Sequence, residues 1–169
     1  MPVNLATVEV LNAILARITT VLGTPPNLGA GAAAVYEVGG LGMLPARADL
    51  SIDLPAIFVL PALAEIDLRD VGGTAFRFDF LARVLYLEKF APGANVEKNL
   101  IGRINTLAHV FLDDISLGEP TISSAQLLLA WTSAIDYRPP EVEALVATGR
   151  ADIVGGVVTV RCRLYTQRF

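Results

Sequence analysis

Side chains equipped for catalysis are sparse in this sequence, and their spacing builds no recognisable reaction centre. His109 is the single histidine. It falls in a helical pattern between Ala108 and Val110, with no cysteine or serine at a spacing that makes a nucleophile and base pair. One histidine also falls short of most transition-metal sites. Asp113-Asp114 offers two carboxylates for a hard cation or for acid and base work, but adjacent carboxylates at a helix end also read as a solvated stop. Glu65, Asp67 and Asp70 fit the exposed side of a hairpin better than a metal site. Gly39-Gly40-Leu41-Gly42 lacks the lysine and hydroxyl of a phosphate loop and the strand-to-helix setting of a dinucleotide site. For a small α+β ligand-binding domain or enzyme, Asp79, His109 and Tyr86 are the groups available to a pocket. The expectation is therefore a protein without catalytic, cofactor-binding or metal-binding residues, and not an enzyme.

What remains is chemistry of contact. Arg161, Arg163 and Arg168 form a small basic patch on the last strand and tail, suited to acidic groups of a neighbouring subunit. Tyr36 and Tyr137 sit in Gly/Pro-rich connections and complete the candidate subunit-contact set. The net charge of −4, with a pI near 4.9, gives no electrostatic footprint for gripping nucleic acid. Hydrophobic residues make up 53% of the 169 residues and charged ones only 18%, against about 25% charged in ordinary globular chains. So little charge implies surface that is covered in the working state, and the expected cover is a homo-oligomer. Cys162, the one cysteine, forbids an internal disulfide, fits a reducing compartment and reads as a small buried hydrophobe in a strand.

The length suits a single domain over 1–169 that buries roughly two-thirds of its unfolded surface. Val8, Leu11, Leu15, Ile18 and Leu22, with Ile14 beside them, predict a helix over Leu5–Leu22 stopped by Gly23. Thr24–Asp49 is rich in Gly, Ala and Pro and predicts a long loop, with a short strand around Val35–Val38 and contacts to a neighbouring subunit. Pro55–Pro61 is an apolar run bracketed by prolines, one short buried strand. Glu65–Val71 alternates and turns at Gly72-Gly73 into a long strand from Phe76 to Leu87, a hairpin. One face of that long strand carries Phe76, Phe78, Phe80, Ala82, Val84 and Tyr86. The other is charged first and apolar later, as in a strand that leaves solvent and enters a covered region.

A helix from Glu97 to Leu112 follows, with Leu100, Ile104, Leu107 and Phe111 as its stripe, Ile101 and Ala108 flanking and Asn95 as N-cap. Ile122–Thr132 predicts a strand covered on both faces. Glu141–Ala147 predicts a helical turn, and Gly155-Gly156 opens a closing strand in which Val158, Val160, Cys162 and Leu164 share a face. The start lacks the basic region and continuous apolar core of a signal peptide. The uncharged stretch Ile18–Tyr36 is broken by Gly23, Pro25, Pro26, Gly29 and Gly31, which argues against a membrane span. The fold class is thus α+β, a mixed or antiparallel sheet with two main helices packed against it.

The order of these elements resembles the tail terminator, or tail-completion, proteins of long-tailed bacteriophages. The resemblance lies in the N-terminal helix, the proline-bracketed strand, the long strand with its turn and helix, and the Gly-Gly-led closing strand. It covers most of the chain outside Thr24–Asp49, and the Pro139-Pro140 segment departs from it. It implies a subunit of a homo-oligomeric ring, usually a hexamer, that caps the tail tube and joins it to the head-completion protein. Such a subunit resides in the virion after assembly in the bacterial host cytoplasm. DNA passes through the ring without specific binding, and neither cofactor nor membrane is involved. Another phage tube or connector subunit is the alternative.

Overall fold

The computed structural model describes residues 7–37, 53–61, 67–71, 75–113, 115–118, 126–147, 149 and 151–167. The first helix, α1 (Thr7–Leu22), ends as expected at Gly23, whose φ of +100° suits a residue without a Cβ. The Gly23 N–H donates to the Thr19 carbonyl at 3.0 Å. Its buried side is rotated from the expected stripe: Val10, Leu11, Ala13, Ile14 and Ile18 are buried, while Val8 is 63% exposed. The row received by the sheet is Val10, Ile14 and Ile18, spaced by four, and Val8 lies about 120° round the helix from Ile14.

Residues 24–33 fold back on the same core rather than projecting from it. Leu28 and Ala33 are buried, and the Asn27 side chain accepts the Gly29 N–H at 2.7 Å. The short strand expected near Val35–Val38 is β1 (Ala34–Glu37), parallel to β2 (Ala56–Pro61). Residues 38–52 lie outside the described residues. Prolines bracket β2 at its ends, where no ladder hydrogen bond is lost, and Ala56 to Leu60 are all buried.

A hairpin joins β3 (Asp67–Val71) to β4 (Ala75–Lys89), with Val71 opposite Ala75. β4 is the spine of the sheet. Along one edge it pairs first with β3 and then with β2. Along the other it pairs over its whole length with β6 (Ile153–Gln167). β5 (Gln126–Asp136) lies outside β6, giving the order β1-β2-β4-β6-β5 with β3 beside β4. The sheet is six-stranded, and β1 with β2 is its parallel pair.

Of the expected strand Ile122–Thr132, residues 122–125 lie outside the described residues; in the rest Ala130 is buried, Trp131 is half-buried and Gln126 is exposed, and the strand continues past Thr132 through exposed Ser133, Ala134 and Ile135. An outermost strand has one neighbour only. Its pairing with β6 slips twice, between Leu127 and Leu129 and between Thr132 and Ala134, which bends an edge away from further pairing. Its inner half is tied to the polypeptide after the second helix: Ala130 N–H donates to the Ile115 carbonyl at 2.6 Å.

That helix, α2 (Val96–His109), buries Ile104, Leu107 and Ala108, with Phe111 just beyond, and leaves Ile101 40% exposed. Asn95 precedes it but makes no side-chain cap bond; it is left-handed, with φ 68°. Its contribution is tolerance of that backbone conformation, which Asn adopts more readily than most residues. α1 and α2 cover one face of the sheet over a core that includes Ile57, Val59, Phe78, Tyr86, Val160 and Cys162. The other face is covered at one end by a third, short helix, α3 (Pro140–Ala147), over Phe58, Leu60, Leu85, Leu87, Ile153 and Val157. The fold is α+β, with two main helices on one face of a mixed sheet. Gly155 and Gly156 are buried inside β6 rather than opening it.

Candidate assembly surfaces

The end of the second sheet face beyond α3, bare of helix among the described residues, carries the ion pairs of Asp79. β4 sends Arg77, Asp79, Leu81 and Arg83 to this face, because alternate residues of a strand share a side. The register sets Asp79 opposite Arg163 and Leu81 opposite Arg161. Arg163 donates to both Asp79 carboxylate oxygens, from Nε at 2.8 Å and Nη2 at 3.1 Å. Its guanidinium lies 5.7 Å from the Trp131 ring centre, within cation–π range. The hydrogen bond from Arg163 holds the Asp79 carboxyl below its usual range, aided by the charge of Arg161. Arg161 is the looser partner, with Nη1 at 3.6 Å from Asp79 Oδ2. Its Nε is buried with no hydrogen-bond partner among the described residues.

Arg83 marks the boundary of the covered zone. It makes a two-point contact with Glu141, Nε to Oε1 at 2.9 Å and Nη2 to Oε2 at 3.0 Å. Glu141 lies in the first turn of α3, where the helix dipole favours a carboxylate.

A second surface lies at the opposite end of the sheet, a groove of about 530 Å³ between α2 and α3 where β4 leaves and β6 begins. Four of its lining residues are large apolar side chains left substantially open: Phe90 (43%), Ile101 (40%), Tyr137 (38%) and Val146 (46%). Glu97, Arg138 and Glu143 stand at it too. These apolar side chains are clustered at one groove rather than scattered singly.

The structure brings Arg161 and Arg163 together on the bare face, as their spacing predicts. Tyr137 lies in the groove instead, its hydroxyl 2.6 Å from Asn105 Oδ1. Tyr36 stacks on Phe58, centroids 5.0 Å apart at 16°, beside the core under α3. Arg168 lies outside the described residues. Sequence reasoning missed Asp79 and Trp131 as the groups that hold the arginines, and Phe90, Ile101 and Val146 as groove walls. For Asp79 a signal existed, one acid among arginines on the same strand face; for the groove, four separate segments must first be assembled.

The groups with catalytic potential do not converge. Asp79 and Tyr86 lie on opposite faces of β4, and His109 is exposed at the end of α2. The Tyr86 hydroxyl donates to Glu88 Oε2 at 2.9 Å; burial, reinforced by that carboxylate, raises its pKa. Glu88, 5% exposed, is held in turn by Arg103 Nη1 at 2.6 and 2.7 Å. Cys162 is buried, and burial pushes its thiol up to about 12. Among the described residues no group of three or more His, Cys, Asp or Glu is placed to hold a metal ion, and no helix is long and apolar enough to cross a membrane. Asp114, Glu65 and Gly39–Gly42 lie outside the described residues.

No family model and no curated protein matches the chain. Among solved structures, it is similar to a chain from the virion of native gene transfer agent (GTA) particle. The two share 14% identity over 96% of this chain and 99% of that one, with a TM-score of 0.52. At that identity the likeness is one of fold. It runs from end to end, with neither chain carrying a large extra segment.

Proposed function

We propose that the protein is a structural subunit of a phage or phage-like virion, and specifically a ring subunit that caps the tail tube and joins it to the head-completion proteins. The observation that carries this reading is the end-to-end fold likeness to a chain of the gene transfer agent virion. The apolar groove and the scattered placement of the ionisable groups favour contact over turnover as its mode of action. The element order, which resembles tail terminators, supports the cap over other virion positions and supports a hexamer as the ring. In this reading DNA passes through the ring unbound, and the subunit assembles in the host cytoplasm before it becomes part of the virion.

A tail-tube subunit is the rival, and particle form separates the two. Mass measurement and electron microscopy of the purified protein, alone and with growing tail tubes, provide the test. Closed rings that bind tube ends and arrest their growth are expected. Long filaments formed by the protein itself would establish a tube subunit. A strict monomer that ignores tube ends would overturn the proposal.

A further inference from the structure

Resting on the ring reading, we propose which surfaces meet between neighbours: the groove of one copy receives the bare, basic sheet face of the next. The two surfaces are separate on each subunit. Leu81 and Phe90 are nine residues apart on one extended chain, about 30 Å at ~3.3 Å per residue. A contact between unlike surfaces repeated head to tail covers both on every copy and closes a ring when the rotation allows. A two-fold contact through the groove would cover only one of them. It would also set Glu97 and Glu143 near their own counterparts, like charge against like.

Charge and shape agree with the unlike pairing. At the groove two carboxylates, Glu97 and Glu143, stand with one guanidinium, Arg138, which lies 3.7 Å from Glu97, so the set carries one net negative charge. On the sheet face Arg161 and Arg163 share one carboxylate, Asp79, and Arg77 adds a third guanidinium charge near it. Arg161 is the group with bonding capacity to spare, held at 3.6 Å with its side chain 42% exposed. A carboxylate arriving from the neighbour's groove completes it. Half-buried Leu81 and Trp131 supply apolar surface for Phe90, Ile101 and Val146 to cover. DNA is the competing occupant of a basic face, but three arginines around an aspartate neutralise too few phosphates for salt-resistant binding.

The test pairs two charge reversals. Arg161→Glu spoils the sheet face and leaves the groove intact; Glu97→Arg with Glu143→Arg spoils the groove and leaves the face intact. Each protein alone is expected to lose ring assembly by at least about tenfold in concentration, because like charges then oppose across the contact. Mixed one to one, they recover closed rings of alternating copies. Circular dichroism melts verify that each variant is folded. As a second measurement, copies carrying Val146→Cys should cross-link through a bifunctional thiol reagent to copies carrying Leu81→Cys, while neither set cross-links to itself.

Wild-type protein that never forms rings, in solution or on tube ends, would sink the ring reading itself. Wild-type rings that persist in both reversals, or variants that fail singly and are not rescued by mixing, would overturn this contact alone. Arg161-dependent binding of a fluorescent DNA duplex at physiological salt, with ring assembly unaffected by Arg161→Glu, would reassign the basic face to nucleic acid.

Discussion

Replacing Arg103 by methionine tests the account of the buried charge at the end of β4. Glu88 has a side chain only 7% exposed, and Arg103, its ionic partner, is 23% exposed. Removing one member of a buried pair costs about 3–5 kcal/mol, because the other charge stays desolvated. Two features place this case at the lower end. The Tyr86 hydroxyl still donates to Glu88, and a cavity of about 400 Å³ beside both side chains gives water a way in. About 3 kcal/mol in a chain of this size lowers Tm by ~6–12 °C, at ~2–4 °C per kcal/mol. Differential scanning calorimetry at pH 7 reads this directly. Arg103→Met combined with Glu88→Gln should recover much of the loss, since the amide leaves no stranded charge and its carbonyl oxygen still accepts the Tyr86 hydroxyl. A single variant melting within about 2 °C of wild type, or a double variant no better than the single, would refute the reasoning.

Gly155→Ala places a Cβ against the Tyr86 carbonyl oxygen and 2.8 Å from Leu87 Cδ2; since backbone cannot yield as a side chain does, urea melts should show a loss of about 3 kcal/mol or more. Gly156→Ala meets Ile104 Cδ1 at 2.8 Å, and adding Ile104→Val should relieve part of its cost of ~1–3 kcal/mol. Asp79→Asn should destabilise at pH 7 and progressively less in acid. Held by Arg163, the folded Asp79 carboxyl titrates below the ordinary aspartate value of 3.8, so its contribution is present above that value and is lost as pH falls through the folded pKa; wild-type and variant denaturation curves should converge near the acid limit. Cys162, with its thiol pushed from 9.0 up to about 12, should react with thiol reagents at pH 8 roughly a thousandfold more slowly than in denaturant, from thiolate fraction alone. Prompt labelling of the native protein would show that β6 is open at that position.

Local patterns in the sequence carry much of this fold. The alternation of β4 and β6, the prolines at the ends of β2 and the glycine stop after α1 each act through a neighbour a few residues away. Features that depend on distant partners were not legible. Nothing local says that β2 and β3 share one edge of β4 in succession. Leu127, Leu128 and Leu129 give β5 no polar residue to fix its register, and the strand runs four residues past the expected end at Thr132, to Asp136. Gly155-Gly156 has the composition of a turn, and only the approach of Tyr86 and Ile104 explains glycine inside a strand. The Asp79–Arg163 pair joins positions 84 residues apart, so the arginines were visible and their anchor was not.

The length of α3 explains why the sheet's second face changes character along its strands. Eight residues of helix cover about 12 Å, whereas the fifteen residues of β4 extend about 50 Å. Under α3 the face is apolar: Leu85, Leu87, Val157 and Leu145 are buried together. Beyond the Arg83–Glu141 contact no helix among the described residues covers it, and the same side of β4 and β6 turns to Arg77, Asp79, Arg161 and Arg163. An entirely polar bare face would suit a permanently solvated end, yet Leu81 and Trp131 are kept there, half-buried among the charges. The molecule therefore has two unlike ends, an apolar groove with carboxylates beside it and a basic face with apolar patches. Such a polarity contributes nothing to the stability of one isolated chain, and it is what repeated head-to-tail contact between identical chains requires.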